Sequence, residues 1–193
     1  HKLLADVWFD RAAISKYRGN YDLAIAAITT AGEQYLLIHD TVNQVECLCE
    51  TGALYQQKND PVKALVYYHQ AEKILLASRK MKNLSKLYNG LGTFYLSQKE
   101  YEKSLDYYRK SLDINHQIDF PLGASVNLLN IGNVCIAQKD YACAIDNLMQ
   151  SLKIKQGIND LQGIQKCYTN LGLVYANSNQ PEKAIEFHNK TLE

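Results

Sequence analysis

Charge of one prevailing sign is missing from this chain. Lysine plus arginine numbers 21 and aspartate plus glutamate 20, a formal net charge of +1. That balance argues against a nucleic-acid or membrane-surface footprint. No apolar run is long enough to span a bilayer, and no signal-peptide pattern is legible. Sustained apolar–polar alternation with β-branched residues is also missing, so no sheet is expected. Paired cysteines at zinc spacing are lacking. Cys47 and Cys49 are two apart and would point different ways from one helix. With Cys135, Cys143 and Cys167 they make an odd, scattered set, which reads as free thiols in a reducing, cytoplasmic setting. No nucleophile elbow, phosphate loop or His-Glu-x-x-His helix occurs, and His39, His69, His116 and His188 are far apart in sequence. These absences point away from catalysis, metals and cofactors.

What is present is a repeat. Ala12, Gly52, Gly92, Gly132 and Gly172 recur at an interval of 40 residues without insertion or deletion. Three residues later come Ser15, Tyr55, Tyr95, Cys135 and Tyr175; twelve later come Ala24, Ala64, Ser104, Ala144 and Ala184. Trp8, Leu48, Tyr88, Leu128 and Tyr168 stand four before them. A comb of large and small residues suits helices packed at fixed contact points. Each copy reads as two helices, the first with helical apolar spacing, as in Leu84, Leu87, Leu91 and Tyr95. Polar pairs such as Asn59-Asp60 and Lys139-Asp140 mark the turn within each copy. The second helix opens at Tyr21, Pro61, Tyr101, Tyr141 and Pro181. Proline suits a first helical position, where its missing N–H is no loss. Only three prolines occur, and the third, Pro121, is expected in a joining stretch over 119–123.

The third copy reads Tyr88-Asn89-Gly90-Leu91-Gly92-Thr93-Phe94-Tyr95, and the fifth Tyr168-Thr169-Asn170-Leu171-Gly172-Leu173-Val174-Tyr175. These residues resemble the tetratricopeptide repeat. The period exceeds the usual value of about 34 residues, which places about six additional residues in each connection or helix end. This longer form is similar to that of spindle-orientation adaptors, kinesin light chains and bacterial signalling proteins. The resemblance implies an all-α fold, a right-handed α-solenoid of five helix-turn-helix units. They are expected as a single array over residues 3–42, 43–82, 83–122, 123–162 and 163–193, the last truncated. The first copy departs from the pattern at Arg11-Ala12 and Ser15, as a terminal cap does. Leu192 and Glu193 fit either a native continuation or a cloning remnant, and the chain reads as part of a longer protein.

The resemblance also implies a groove. In this family the first helices of the repeats line a concave surface that holds an extended peptide or a partner helix. Polar residues between the apolar stripes are then the candidate ligand contacts: Glu46, Glu50, Lys86, Asn89, Thr93, Asn130, Asn133, Lys166 and Asn170. A primary amide donates and accepts, so it can bracket a peptide bond. Asn130 and Asn170 hold the same register position and would form a ladder. Asp6, Asp10, Glu46 and Glu50 make the early part acidic; Lys86 and Lys166 make the later part basic. A carboxylate clamp of two cations lacks its second cation here.

The expected function is a non-catalytic, cytoplasmic scaffold that binds a protein or peptide in its groove. The alternative is a sensory or regulatory region of a larger signalling protein. Self-association through the last, truncated repeat is a further expectation.

Overall fold

The structure, a computed structural model, describes residues 1–191. Leu192 and Glu193, whose origin the sequence leaves open, lie outside the described residues. The helices are α1 (Lys2–Tyr17), α2 (Tyr21–Leu37), α3 (Thr41–Gln57), α4 (Pro61–Ser78), α5 (Met81–Ser97), α6 (Tyr101–Gln117), α7 (Pro121–Ala137), α8 (Tyr141–Gly157), α9 (Leu161–Asn177) and α10 (Pro181–Asn189). No strand occurs among the described residues. The second helices begin at the expected tyrosines and prolines.

The joints between helices are short and close in the same way. Each passes through one left-handed residue: Gly19, His39, Asn59, Arg79, Lys99, Asp119, Lys139, Asn159 or Asn179, with φ between 49° and 74°. The next residue donates its N–H to the last helical turn, as Asp60 N does to Tyr55 O at 2.9 Å. This closure satisfies carbonyls that the helix end would leave open. The joints are three residues long, two between α4 and α5, so the additional length of the 40-residue repeat lies in the helices rather than in the connections. Nor is 119–123 a linker. Pro121 is already the first residue of α7, where its ring fits and its lack of N–H costs nothing, and Leu122 and Gly123 are helical. Each helix pair therefore opens about two residues earlier than the repeat boundaries read from the sequence. Asp40, Asp60, Asp140 and Asp160 cap the following helices by accepting the N–H three residues on.

Two compact units divide the chain, residues 1–87 and 88–193, with the division inside α5. In the first unit α1 packs on α2, α2 on α3 and α3 on α4. Ala5, Ala12, Ala24, Ile28, Ala31 and Tyr35 form its main cluster. In the second unit α6 through α10 pack successively, and α7 also meets α9. Tyr108, Ile131, Leu148, Cys167, Leu171 and Val174 lie in its core. Burying each of the isoleucine, leucine and valine side chains among these contributes roughly 1.5–3 kcal/mol.

The comb of sizes works as expected. Ala24, Ala64, Ser104, Ala144 and Ala184 are buried, as are Ala31, Ala71, Ser111 and Ser151. The repeating glycines give close approach. A Cβ on Gly92 would stand 2.6 Å from the Tyr108 ring, and one on Gly52 2.7 Å from Tyr68.

A second feature that follows the register is aromatic. Tyr55 stacks on Tyr67, Tyr95 on Tyr107 and Tyr175 on Phe187, each with centroids 5.4 Å apart. Lys63, Lys103 and Lys183 sit over the first ring of each pair at 5.3, 5.2 and 5.2 Å. In the fourth repeat Cys135 holds the tyrosine position and Cys143 the lysine position, and the two are bonded, with Cα atoms 5.8 Å apart. The expectation of five free thiols is thereby corrected. The α7–α8 hairpin brings together positions that are eight apart in sequence. Cys47, Cys49 and Cys167 are free.

Candidate functional site

The odd-numbered helices carry every candidate ligand contact. In the second unit, α5 supplies Asn89 and Thr93, α7 supplies Asn130 and Asn133, and α9 supplies Lys166 and Asn170. Five of these six are tied into hydrogen bonds, Lys166 being the exception among the described residues. Asn130 Nδ2 donates to Asn89 Oδ1 at 2.9 Å, and Asn170 Nδ2 donates to Asn133 Oδ1 at 2.7 Å. Each amide thus reaches back to the preceding repeat; Asn130 and Asn170 do not meet each other. In both pairs one amide donor and one amide acceptor stay uncommitted among the described residues: Asn89 Nδ2 with Asn130 Oδ1, and Asn133 Nδ2 with Asn170 Oδ1. A donor and an acceptor side by side match the N–H and C=O of an extended peptide.

The first pair has a support that the sequence reading missed. Asn127, fully buried, donates from Nδ2 to Asn89 Oδ1 at 3.1 Å. Its own Oδ1 accepts from Ser111 Oγ at 3.1 Å and from Asn115 Nδ2 at 2.7 Å. A buried network whose members are all satisfied fixes orientation. The signal available was Asn115 and Asn127 standing at positions where the register predicts core. Thr93 is less available than expected: its hydroxyl donates to Asn89 O at 3.1 Å and shares a hydrogen bond of 2.9 Å with Tyr108.

Beside the second pair lies a pocket of about 560 Å³ between α7 and α9. Asn133, Lys166 and Asn170 line it together with Leu129, Gln162, Gln165 and Thr169. Thr169 spends its hydroxyl on Gln165 O at 2.9 Å. Lys166 is exposed and makes no ion pair among the described residues. The lining therefore offers three further amide or ammonium heads on one apolar contact, Leu129. Such a surface suits a polar, extended ligand with an acceptor or a carboxylate near Lys166.

At the start of α9 Lys155 is buried beside Asp160, Nζ to Oδ2 2.9 Å. The hydrogen bond from Lys155 and that from the Gly163 N–H hold the Asp160 carboxyl below the usual carboxylate range. The same aspartate caps α9 and so fixes the start of the helix that presents Lys166 and Asn170.

In the first unit, Glu46 and Glu50 lie one turn apart on α3 and Lys86 is exposed on α5. Lys16 Nζ pairs with Glu50 Oε2 at 2.8 Å. Burial first, and then these two carboxylates, push the Cys47 and Cys49 thiols up to about 12. Asp6 is spent differently than expected, since it accepts the Tyr35 hydroxyl at 2.6 Å. No described helix is long and apolar enough to cross a membrane, and no group of three metal-capable side chains occurs among the described residues.

The model of the tetratricopeptide repeat family matches residues 83–157 and 124–193, more than half of the chain. No curated protein matches the sequence. Among solved structures, BtubC (BKLC) from P. vanneervenii is similar at 18% identity and TM-score 0.82, over 93% of this chain and 75% of that one. Aspartyl phosphate phosphatase F from Bacillus subtilis is similar at 20% identity and TM-score 0.87, over 98% and 50%. A signal transduction ATPase with numerous domains from Pyrococcus horikoshii, which has a tetratricopeptide repeat sensor, is similar at 20% identity and TM-score 0.82, over 95% and 28%. The chain thus spans half of the Bacillus protein and about a quarter of the Pyrococcus one. At these identities the likeness speaks to fold alone, an all-α solenoid.

Proposed function

Since this chain belongs to the tetratricopeptide repeat family, whose fold serves as a protein-interaction scaffold, we propose that it binds an extended peptide or partner segment along the odd-numbered helices of its second unit. The observation that carries this reading is the pocket of about 560 Å³ where Asn133, Lys166 and Asn170 converge with uncommitted hydrogen-bonding groups. Core packing leaves these groups unexplained. The amides are pre-oriented by each other, so the ligand meets a rigid face and bears most of the ordering cost itself. Lys166 favours an acidic residue or a chain terminus at the α9 side. The activity is non-catalytic on this reading. Glu46, Glu50 and Lys86 would serve the same partner or a second segment on the first unit.

Cytoplasmic residence goes with the proposal, on the three free thiols; the Cys135–Cys143 bond argues the other way. The second reading is a sensory region of a larger signalling protein. It is favoured by the likeness to a chain with a repeat sensor, of which this sequence would cover 28%. Self-association through α10 is a third reading, on the exposed Ile185, and sedimentation over a range of concentrations tests it.

The test is a peptide library passed over the protein, with hits measured by calorimetry against Asn133→Ala/Asn170→Ala. Two lost hydrogen-bonding side chains should weaken a true hit by roughly tenfold to a hundredfold. Hits that bind the double variant as tightly as the parent chain contradict the proposal.

A further inference from the structure

A second pocket, of about 390 Å³, opens between α1 and α3 in the first unit. Ile28 and Leu54, both buried, form its floor with Ala12, and Phe9 and Ala13 form a wall. The register explains why space remains. Position 28 corresponds to 68 and 108, where the second and third repeats place tyrosine rings against Gly52 and Gly92. The first repeat has isoleucine in place of the ring and alanine in place of the glycine. A shorter side chain on a bulkier partner leaves the cell between the first helices unfilled.

The rim is charged. Glu46 and Glu50 line the pocket with Lys16 as the one cation, and Lys16 is already paired with Glu50. Glu46 makes no ion pair among the described residues. Two carboxylates against one ammonium leave the mouth of an apolar cavity net negative. An apolar residue alone would gain nothing from that rim, and an acidic segment would be repelled by it.

We propose that this pocket seats one large apolar side chain of a partner segment whose neighbouring lysine or arginine pairs with Glu46 and Glu50. The proposal extends the peptide-binding reading to the first unit and rests on it only for the class of ligand, since the residues are different. The apolar side chain supplies burial in a space of side-chain size. The basic neighbour supplies charge-assisted hydrogen bonds and orientation.

The probe is the capped pentapeptide Ser-Lys-Phe-Lys-Ser, titrated into the protein with labelled isoleucine and leucine methyl groups. The methyl resonances of Ile28 and Leu54 should shift and saturate. The Glu-Phe-Glu and Lys-Ala-Lys counterparts should bind at least about tenfold more weakly, a difference of about 1.4 kcal/mol. The double change Ala12→Gly/Ile28→Tyr restores the pairing of the second and third repeats and should abolish the shifts. If that variant does not fold, Ala13→Leu narrows the same wall, with Leu173 at the equivalent position of the fifth repeat as precedent. Glu46→Gln/Glu50→Gln should weaken the probe about tenfold or more. Asn133→Ala/Asn170→Ala should leave the Ile28 and Leu54 shifts intact, which separates this proposal from that for the second unit. Unshifted methyls, equal binding of the acidic counterpart, persistence in the filled variant, or loss in the asparagine variant would each overturn it.

Discussion

At the scale of single residues, two glycines two residues apart on one helix make opposite predictions. Gly92 faces the Tyr108 ring, and a Cβ there would stand 2.6 Å from it. The ring cannot swing away cheaply because its hydroxyl is held by Thr93. Gly92→Ala should therefore destabilise by about 1–3 kcal/mol, overpacking outweighing the gain in helix propensity. Gly90, on the same helix, has nothing within 4 Å of an added Cβ. Gly90→Ala should stabilise by roughly 0.5–1 kcal/mol. Urea unfolding of both variants checks the pair, and equal signs would refute the packing argument. The Gly92 role was legible in the sequence from the recurrence of small residues. The bonded pair Cys135–Cys143 was legible only in part. Both cysteines stand on register positions, but that tyrosine and lysine touch at those positions in other repeats is knowledge of the folded hairpin. The tyrosine-to-isoleucine exchange at position 28 was visible too; that it leaves a cavity depends on how α1 and α3 face each other.

At the scale of elements, helix starts were readable and helix ends were not. Aspartate caps and first-position prolines are chemical signals. The left-handed closures fall on His39, Arg79, Lys99 and Lys139 as often as on glycine or asparagine. The joints within each copy were legible as short polar pairs, but the stretch over 119–123 between copies looked longer than it is, because α7 already starts at Pro121. The joint between α8 and α9 has a further consequence. Asp160 caps α9 and pairs with the buried Lys155, and its folded-state pKa lies below its unfolded one. The native state thus binds that proton less tightly. The stability it contributes is present above the unfolded carboxyl pKa and is lost as pH falls through the folded one. Asp160→Asn should lower Tm at pH 7, and the gap to the parent chain should close in acid. Thermal melts at both pH values measure this; a gap of the same size throughout would show that the charge pair does not act as argued.

At the scale of the molecule, the sequence made the repeat legible because the same contacts recur at one interval. It did not make legible how the polar faces pair. Asn89–Asn130 and Asn133–Asn170 join side chains 41 and 37 residues apart, offsets near the period that no local pattern encodes. An array of this class gains stability from each repeat and its nearest neighbours. Leu148→Ala, at a fully buried site, should cost about 2–5 kcal/mol. Hydrogen exchange should then quicken in α7, α8 and α9 and stay unchanged in α1 and α2. Uniform quickening along the chain would mean one cooperative core instead of a row of neighbours.

The central claim is that the amides between α7 and α9 meet a peptide backbone. The most direct measurement follows the side-chain amide resonances of Asn133 and Asn170 while a peptide selected from a library is added. The account predicts that both shift and saturate with the same affinity that calorimetry gives, and that their solvent exchange slows. Saturating binding that leaves both resonances unmoved would contradict it.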